Sequence, residues 1–301
     1  MGSVPFHRPL TGVEGLRHKE HAENFPVALR VLPRQLRADL RAVYGVARII
    51  DDLGDQAAGD RVALLEEFRA DLATVWQDGR PRHPTLCRLV PTVRARSLEH
   101  EPFDRLVRAN LQDQQVTSYR TYADLLAYCS LSADPVGRIV LAVFAVRSTE
   151  AERLADQLCT GLQLVEHWQD VAEDRRAGRV YLPREDLEAF GVGDADLDSP
   201  VSTAAVRRLI AFETGRALDL LTSGGALLTL LRGWARVAVA GYLAGGLGAV
   251  DALRRCDMAV LAATPRTKRG DVLRHLSWLL VRPRTHLRRV SSAFRAGDAT
   301  W

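Results

Sequence analysis

Two pairs of aspartates, each pair four residues apart, constrain this chain more than any other feature. The first pair lies in Arg48-Ile-Ile-Asp51-Asp52-Leu-Gly-Asp55, and the second in Gln163-Leu-Val-Glu166-His-Trp-Gln-Asp170-Val-Ala-Glu173-Asp174. On a helix, residues at this spacing stack on one face. Stacked like charges cost roughly a few tenths of a kcal/mol, and both pairs are set among apolar residues. A shared cation removes the repulsion. Oxygen ligands with room for water suit Mg²⁺, which takes a carboxylate or two together with substrate phosphates. The expectation is therefore two helices that face each other across a cavity and hold a Mg²⁺–diphosphate cluster.

The rest of the pattern is helical. Leu36, Leu40, Val43, Ala47 and Ile50 recur at three and four residues, the amphipathic helix period. That helix, starting near Pro33, also carries Tyr44, Arg48, Asp51 and Asp55. Arg48 can form an intrahelical ion pair with Asp52 or offer a donor to phosphate. Further helices are expected over Arg61–Gln77, Thr85–Arg96, Phe103–Gln115 and Tyr122–Ser130, the last capped by Thr121. Another starts at Ser132-Ala-Asp134-Pro135, where Gly137 suggests close packing or close ligand approach.

A helix over about 150–177 carries the second aspartate pair, with Gln163, Glu166, Asp170 and Asp174 in one stripe that lacks any basic residue. Gly178 ends it, and Arg179-Val-Tyr181-Leu-Pro183 reads as an extended turn. Helices follow at Val201–Ser223, Ala226–Gly246 and Val250–Ala262. Alternating strand pattern is scarce, so the fold expected is all-α and single-domain. Residues 1–20 read as a flexible N-terminus, 21–285 as the domain and 286–301 as a basic tail.

Composition removes other classes. At 47% hydrophobic and 26% charged the chain reads as globular, and a net charge of +4 does not suggest a nucleic-acid partner. The four cysteines have no metal-site spacing; free thiols in a reducing cytoplasm are the expectation. No signal peptide is evident. The longest run without charge, Val237–Val250, falls short of the ~20 residues that span a bilayer and reads as a core helix. Pro265–Arg295 is rich in arginine against the single acid Asp271. It reads first as a closing helix with a solvated basic side, and second as a basic amphipathic patch resting on the inner face of an anionic membrane. P-loop, dinucleotide-binding, HExxH and GxSxG motifs are lacking.

Two facing acid pairs with arginine suit one kind of chemistry. A diphosphate that leaves an allylic or cyclopropylcarbinyl carbon creates a carbocation, and Mg²⁺ and arginine neutralise the leaving oxygens. The cavity must otherwise be dry. Tyr44, Tyr128 and Tyr181 are candidates to present ring faces to the cation.

The combination of RxxDDxxD with QLxxxWQDVxEDRxxGRxYLP resembles the squalene/phytoene synthase family over roughly residues 20 to 260. Within it, Glu23-Asn24-Phe25-Pro26-Val27, Arg48 to Asp55 and Trp168-Gln169-Asp170-Val171 are most similar to the hydroxysqualene synthases of bacterial hopanoid pathways. The resemblance implies an isoprenoid synthase fold around a central cavity. It also implies that presqualene diphosphate loses diphosphate, rearranges and captures water to give hydroxysqualene, without NADPH. By motif, Asp51, Asp55, Asp170 and Asp174 would bind Mg²⁺ and diphosphate, and Arg48 and Arg179 would contact phosphate. Tyr44, Gln163 and Tyr181 would line the reaction cavity, with Phe25 near the entry helix, and Tyr128 joins them as a candidate substrate-binding residue.

The chain departs from the family pattern at Glu166, where asparagine is common and a metal ligand is expected, at Asn24, and at His167-Trp168. Two rival readings remain at this stage: condensation of two prenyl diphosphates such as farnesyl diphosphate, and a non-catalytic helical interaction protein retaining the fold. Association with other squalene-pathway enzymes is a further implication.

Overall fold

The computed structural model describes residues 31–298; Phe25 and the segment 1–20 lie outside them. Helix α1 spans Arg34–Asp55, α2 Arg61–Gln77, α3 Pro84–Arg96 and α4 Glu101–Asp113. Asp60 starts α2 by accepting a hydrogen bond from the Ala63 amide at 3.0 Å, which satisfies one of the donors a helix start leaves open. A capping box of Thr121 and Asp124 starts α5, Tyr122–Ser132. Helix α6 is Asp134–Val143, and α7, Thr149–Gln169, is capped by Ser148. Short helices α8 (Val171–Arg176), α9 (Arg184–Phe190) and α10 (Asp194–Leu197) follow. Then come α11 (Ala204–Gly224), a 3₁₀ turn at Gly225–Thr229, α12 (Gly233–Arg255), α13 (Arg269–Val281) and α14 (Pro283–Asp298). Among the described residues there is no strand, only an isolated bridge between Ser118 and Val180. The all-α expectation holds.

The apolar interior has two parts. Val46, Ile50, Leu65, Leu72 and Phe103 belong to one, built from α1–α4 and α6. Leu164, Trp168, Leu209, Leu221 and Leu247 belong to the other, built around α7, α11 and α12. Helix α7 packs against α6, α11 and α12, and glycine sets how closely its neighbours approach. A Cβ on Gly224 of α11 would lie 2.5 Å from the Leu158 amide nitrogen and 2.8 Å from the Leu154 carbonyl oxygen. No side chain fits there. Gly137 similarly lets α6 close on Cys159, whose Sγ would be 2.8 Å from an added Cβ.

Three expectations change. The helix expected over 150–177 is interrupted at Asp170, whose φ of −102° and ψ of 13° separate α7 from α8. The helices expected at Ala226–Gly246 and Val250–Ala262 are replaced by one helix, α12, which is preceded by the 3₁₀ turn and ends at Arg255, so that 256–262 is not helical. Low glycine propensity is overridden there by packing: the bare faces of Gly246 and Gly248 receive Leu162, Thr267 and Val272. Finally, α14 runs across the boundary expected at 285, and its Leu287 and Phe294 are buried in the core. Among the described residues two stretches, Tyr122–Val143 and Gly233–Arg255, are long and apolar enough to cross a membrane, but 56% and 78% of their apolar windows are buried inside the fold. The Val237–Val250 run is accordingly part of a core helix.

The segment carrying Arg179 and Tyr181 is tied down at several points. Val180 and Arg184 amides donate to the Thr117 and Tyr119 carbonyls at 2.8 and 3.0 Å. Farther along, Arg216 pairs with Asp186 at 2.7 Å and with Glu213 at 3.3 Å. Glu213 is fully buried. Burial, and then the adjoining Asp186, push its carboxyl up to about 8 against the pull of Arg216. The folded protein therefore holds a proton that the unfolded chain releases near 4.5. The stability this contributes is complete below 4.5 and is lost as pH rises through about 8. Glu213→Gln is expected to flatten that decline, read as thermal unfolding midpoints at about pH 5 and about pH 9. An unchanged slope would place the titrating group elsewhere.

Candidate active site

A cavity of about 800 Å³ opens between α1 and α4 on one side and α7 and α8 on the other. Its wall includes Tyr44, Arg48, Asp51 and Asp55 from α1, and Tyr128 from α5. Across from them stand Gln163, Glu166, Asp170 and Asp174, with Arg179 and Tyr181 from the tied segment. Every expected site residue within the described part of the chain thus faces one space. Leu40, Val43, Val136, Ile139 and Val140 make part of that wall apolar. A smaller recess of about 90 Å³, lined by Ala133, Cys159, Leu162, Gly246 and Ala249, shares Ser132, Val136, Gln163, Glu166 and Tyr242 with the main cavity.

The two acid pairs differ in their surroundings. On α1, Asn110 donates to Asp51 at 3.3 Å, and Arg179 pairs with Asp55 at 2.9 Å. Arg48 pairs with Asp52 at 2.9 Å, so the intrahelical ion pair is present while Arg48 still lines the cavity. On the opposite wall Asp170, Glu173 and Asp174 crowd together, and Thr264 donates to Glu173 at 2.6 Å. Burial, then Asp174 and Glu173, push the Asp170 carboxyl up to about 6, with Arg266 opposing. The break at Asp170 does not undo the spacing: the Asp174 amide still donates to the Asp170 carbonyl at 2.8 Å.

The aromatic wall is more built than the sequence indicates. Tyr119, Tyr128 and Tyr181 lie with ring centroids 5.3–5.9 Å apart. His167 stacks on Tyr181 at 3.7 Å and 16°, covering one of its faces, and meets Gln163 at 3.1 Å. Of the departing pair His167-Trp168, only His167 faces the cavity. Trp168 is fully buried and donates to the Glu213 carbonyl at 3.2 Å.

Asp113, at the end of α4, is a cavity residue that the motifs do not mark. Tyr128 donates to its Oδ2 at 2.7 Å, and its buried Oδ1 has no hydrogen-bond partner. Burial raises its carboxyl to about 7, although the Tyr128 hydrogen bond and Arg179 oppose the shift. The available signal was its register: Leu106, Asn110 and Asp113 share the inward stripe of α4. Tyr242 and the Thr264–Thr267 stretch also line the cavity, the latter from an irregular segment that carries no periodic signal.

Among the described residues no trio of His, Cys, Asp or Glu converges closely enough to cage a metal alone. The donor set is carboxylate oxygen on two facing walls. That suits Mg²⁺, which completes its shell with water and substrate phosphate. The mutual repulsion at Asp170 is what a cation would relieve. The buried Nε of Arg179 has no hydrogen-bond partner, as fits a site for an anionic ligand.

The sequence profile of squalene/phytoene synthases matches residues 18–274. The chain belongs to the squalene/phytoene synthase family. This synthase is 33% identical over 215 residues to the hydroxysqualene synthase of Zymomonas mobilis, covering 69% of this chain and 70% of that one. It is 30% identical over 251 residues to the phytoene synthase of Mycobacterium tuberculosis, covering 81% and 79%. The crystal structure of squalene synthase HpnC from Alicyclobacillus acidocaldarius superposes with a TM-score of 0.75 at 40% identity, covering 81% of this chain and 93% of that one. A ligand-bound dehydrosqualene synthase shares the fold, with a TM-score of 0.79 at 22% identity over 87% and 92% of the two chains. The protein is an isoprenoid synthase, an enzyme class whose substrates are prenyl diphosphates such as farnesyl diphosphate.

Proposed function

We propose that this synthase converts presqualene diphosphate to hydroxysqualene, acting as a carbon–oxygen lyase. The observation that carries the reading is the single cavity of about 800 Å³ in which acids and arginines meet an apolar interior. The 40% identity to squalene synthase HpnC supports this branch of the family. In the reaction the carbon–oxygen bond to diphosphate breaks and its electron pair stays on the leaving oxygen. Arg48 and Arg179 take up the charge that develops there. Asp51, Asp55, Glu166, Asp170 and Asp174 would hold Mg²⁺, which when bound supplies further positive charge to the leaving group.

The cyclopropylcarbinyl cation then rearranges beside Tyr44, Tyr128 and Tyr181, whose rings attract positive charge. Leu40, Val43, Ile139 and Val140 keep bulk water out until rearrangement is complete. The apolar recess beside Tyr242 takes the end of a prenyl tail. A water then bonds to carbon and loses a proton. Gln163 and His167, 3.1 Å apart in the wall, are the polar groups placed there: the Gln163 amide holds that water and the His167 imidazole accepts its proton. No hydride donor enters the step. The substrate is membrane-derived, and the reading places the enzyme in the cytoplasm, beside the bilayer and the other enzymes of the pathway.

The test is incubation of the purified protein with Mg²⁺ and presqualene diphosphate, without NADPH, followed by mass analysis of the lipid extract. Hydroxysqualene is the expected product. Consumption of farnesyl diphosphate but not presqualene diphosphate would move the protein to the condensing branch. Turnover of neither would return it to a non-catalytic helical protein.

A further inference from the structure

Helices α13 and α14 close the fold with one face and leave the other unusual. Inward, His275, Leu279, Leu287 and Phe294 are buried. Outward, Leu273, Trp278 and Val281 are 55%, 41% and 71% exposed, and with Arg274 and Ser277 they share one side of α13. The Arg236 guanidinium donates to the Leu280 carbonyl at 3.0 Å, which seats the head of α12 against the tail of α13. That contact brings the exposed Leu230 and Trp234 to the same end of the molecule.

After Asp271, which pairs with Arg255 and Arg274 at the start of α13, the charge along the sequence has one sign. Residues 272–297 contain no aspartate or glutamate and include Arg274, Arg282, Arg284, Arg288, Arg289 and Arg295. Arg274 is taken by Asp251, and Arg295 by Asp219. Arg282, Arg284 and Arg288 are exposed and in no ion pair among the described residues, while the Arg289 guanidinium lies 5.8 Å from the Trp278 ring centroid. A merely solvated face mixes charge signs and carries few large apolar side chains. Apolar and tryptophan side chains among unpaired arginines match an interface where hydrocarbon adjoins anionic headgroups.

We propose that the outer side of α13, the start of α14 and the head of α12 form a docking surface for an anionic lipid bilayer. Leu273, Trp278 and Val281 enter the headgroup layer, and Arg282, Arg284 and Arg288 face lipid phosphates. Docking is peripheral, since the helices behind this face remain packed in the core. None of these residues lines the catalytic cavity, so binding and turnover are separable.

The test is co-sedimentation of the full chain with vesicles of phosphatidylcholine alone or mixed with phosphatidylglycerol, over a range of salt. The chain is expected to bind the mixed vesicles, to be released by salt, and to bind neutral vesicles weakly. Each arginine near an anionic surface contributes about fivefold, so R282Q/R284Q/R288Q is expected to lower partitioning by about a hundredfold. W278A/V281S is expected to lower it by about tenfold, whereas W278F is expected to retain binding. Circular dichroism melts confirm that these surface changes leave the fold intact. Equal binding to neutral vesicles, or wild-type partitioning by both multiple variants, would overturn the proposal. So would a salt-independent dimer that buries Trp278 and ignores vesicles. Binding of a nucleic acid or heparin with the same affinity as vesicles, insensitive to W278A/V281S, would overturn it as well.

Discussion

Asp170→Ala, or Asp51→Ala on the opposite wall, is expected to lower prenyl diphosphate turnover by about a thousandfold, corresponding to about 4 kcal/mol of lost transition-state stabilisation. The two residues line one cavity from different helices, and on the proposed mechanism each helps hold the charge that meets the leaving diphosphate. Neither change should unfold the protein. Asp170 is crowded by Asp174 and Glu173 and is in no ion pair among the described residues, so its removal relieves repulsion. The melting temperature of metal-free Asp170→Ala is expected to equal or exceed that of the parent. Single-turnover kinetics and thermal melts on the same samples check both halves. Substantial Mg²⁺-dependent activity in either variant would contradict a site shared between the two walls.

Arg48→Ala is expected to lose both stability and turnover, for separable reasons. Asp52 is only 3% exposed and pairs with Arg48 at 2.9 Å. Removing one partner of such a pair leaves a buried charge and costs about 3 kcal/mol. The same arginine faces the cavity, where the proposed mechanism uses it on phosphate. Neutralising both partners, as R48Q/D52N, is expected to restore most of the stability without restoring turnover. Denaturant midpoints and kcat for the single and double variants separate the two roles. Recovery of turnover along with stability would reduce Arg48 to a structural ion pair.

The legible parts of this protein are those written in local chemistry. Thr121 with Asp124, and Gly178 after the second acid run, mark helix ends through capping and left-handed backbone. The 3.6-residue repeat of Leu36, Leu40, Val43 and Ala47 fixes which side of α1 turns inward. Stacked like charges amid apolar residues point to an acid-lined cavity before any tertiary contact is known. Other features depend on contacts far apart in sequence. The Gly246 and Gly248 region stays helical because Leu162, Thr267 and Val272 fill the space beside it, which no propensity scale contains.

Asp113 becomes part of the site through Tyr128, fifteen residues away on another helix. The interruption at Asp170 and the direction of Trp168 into the core are likewise tertiary outcomes: the neighbouring Gln169 donates to the Pro265 carbonyl at 2.5 Å, and Trp168 to that of Glu213. Helix α14 belongs to the core through Leu287 and Phe294, although its arginine content reads as a tail.

On the proposed mechanism the two aspartate pairs grip one diphosphate between them. The most direct measurement is anomalous diffraction from crystals grown with Mn²⁺ in place of Mg²⁺ and a non-ionisable prenyl thiodiphosphate. Metal peaks are expected between Asp51 and Asp55 on one wall and Asp170 and Asp174 on the other, with the diphosphate bridging them and reaching Arg48 and Arg179. A diphosphate bound elsewhere, or bound here without metal at either aspartate pair, would contradict it.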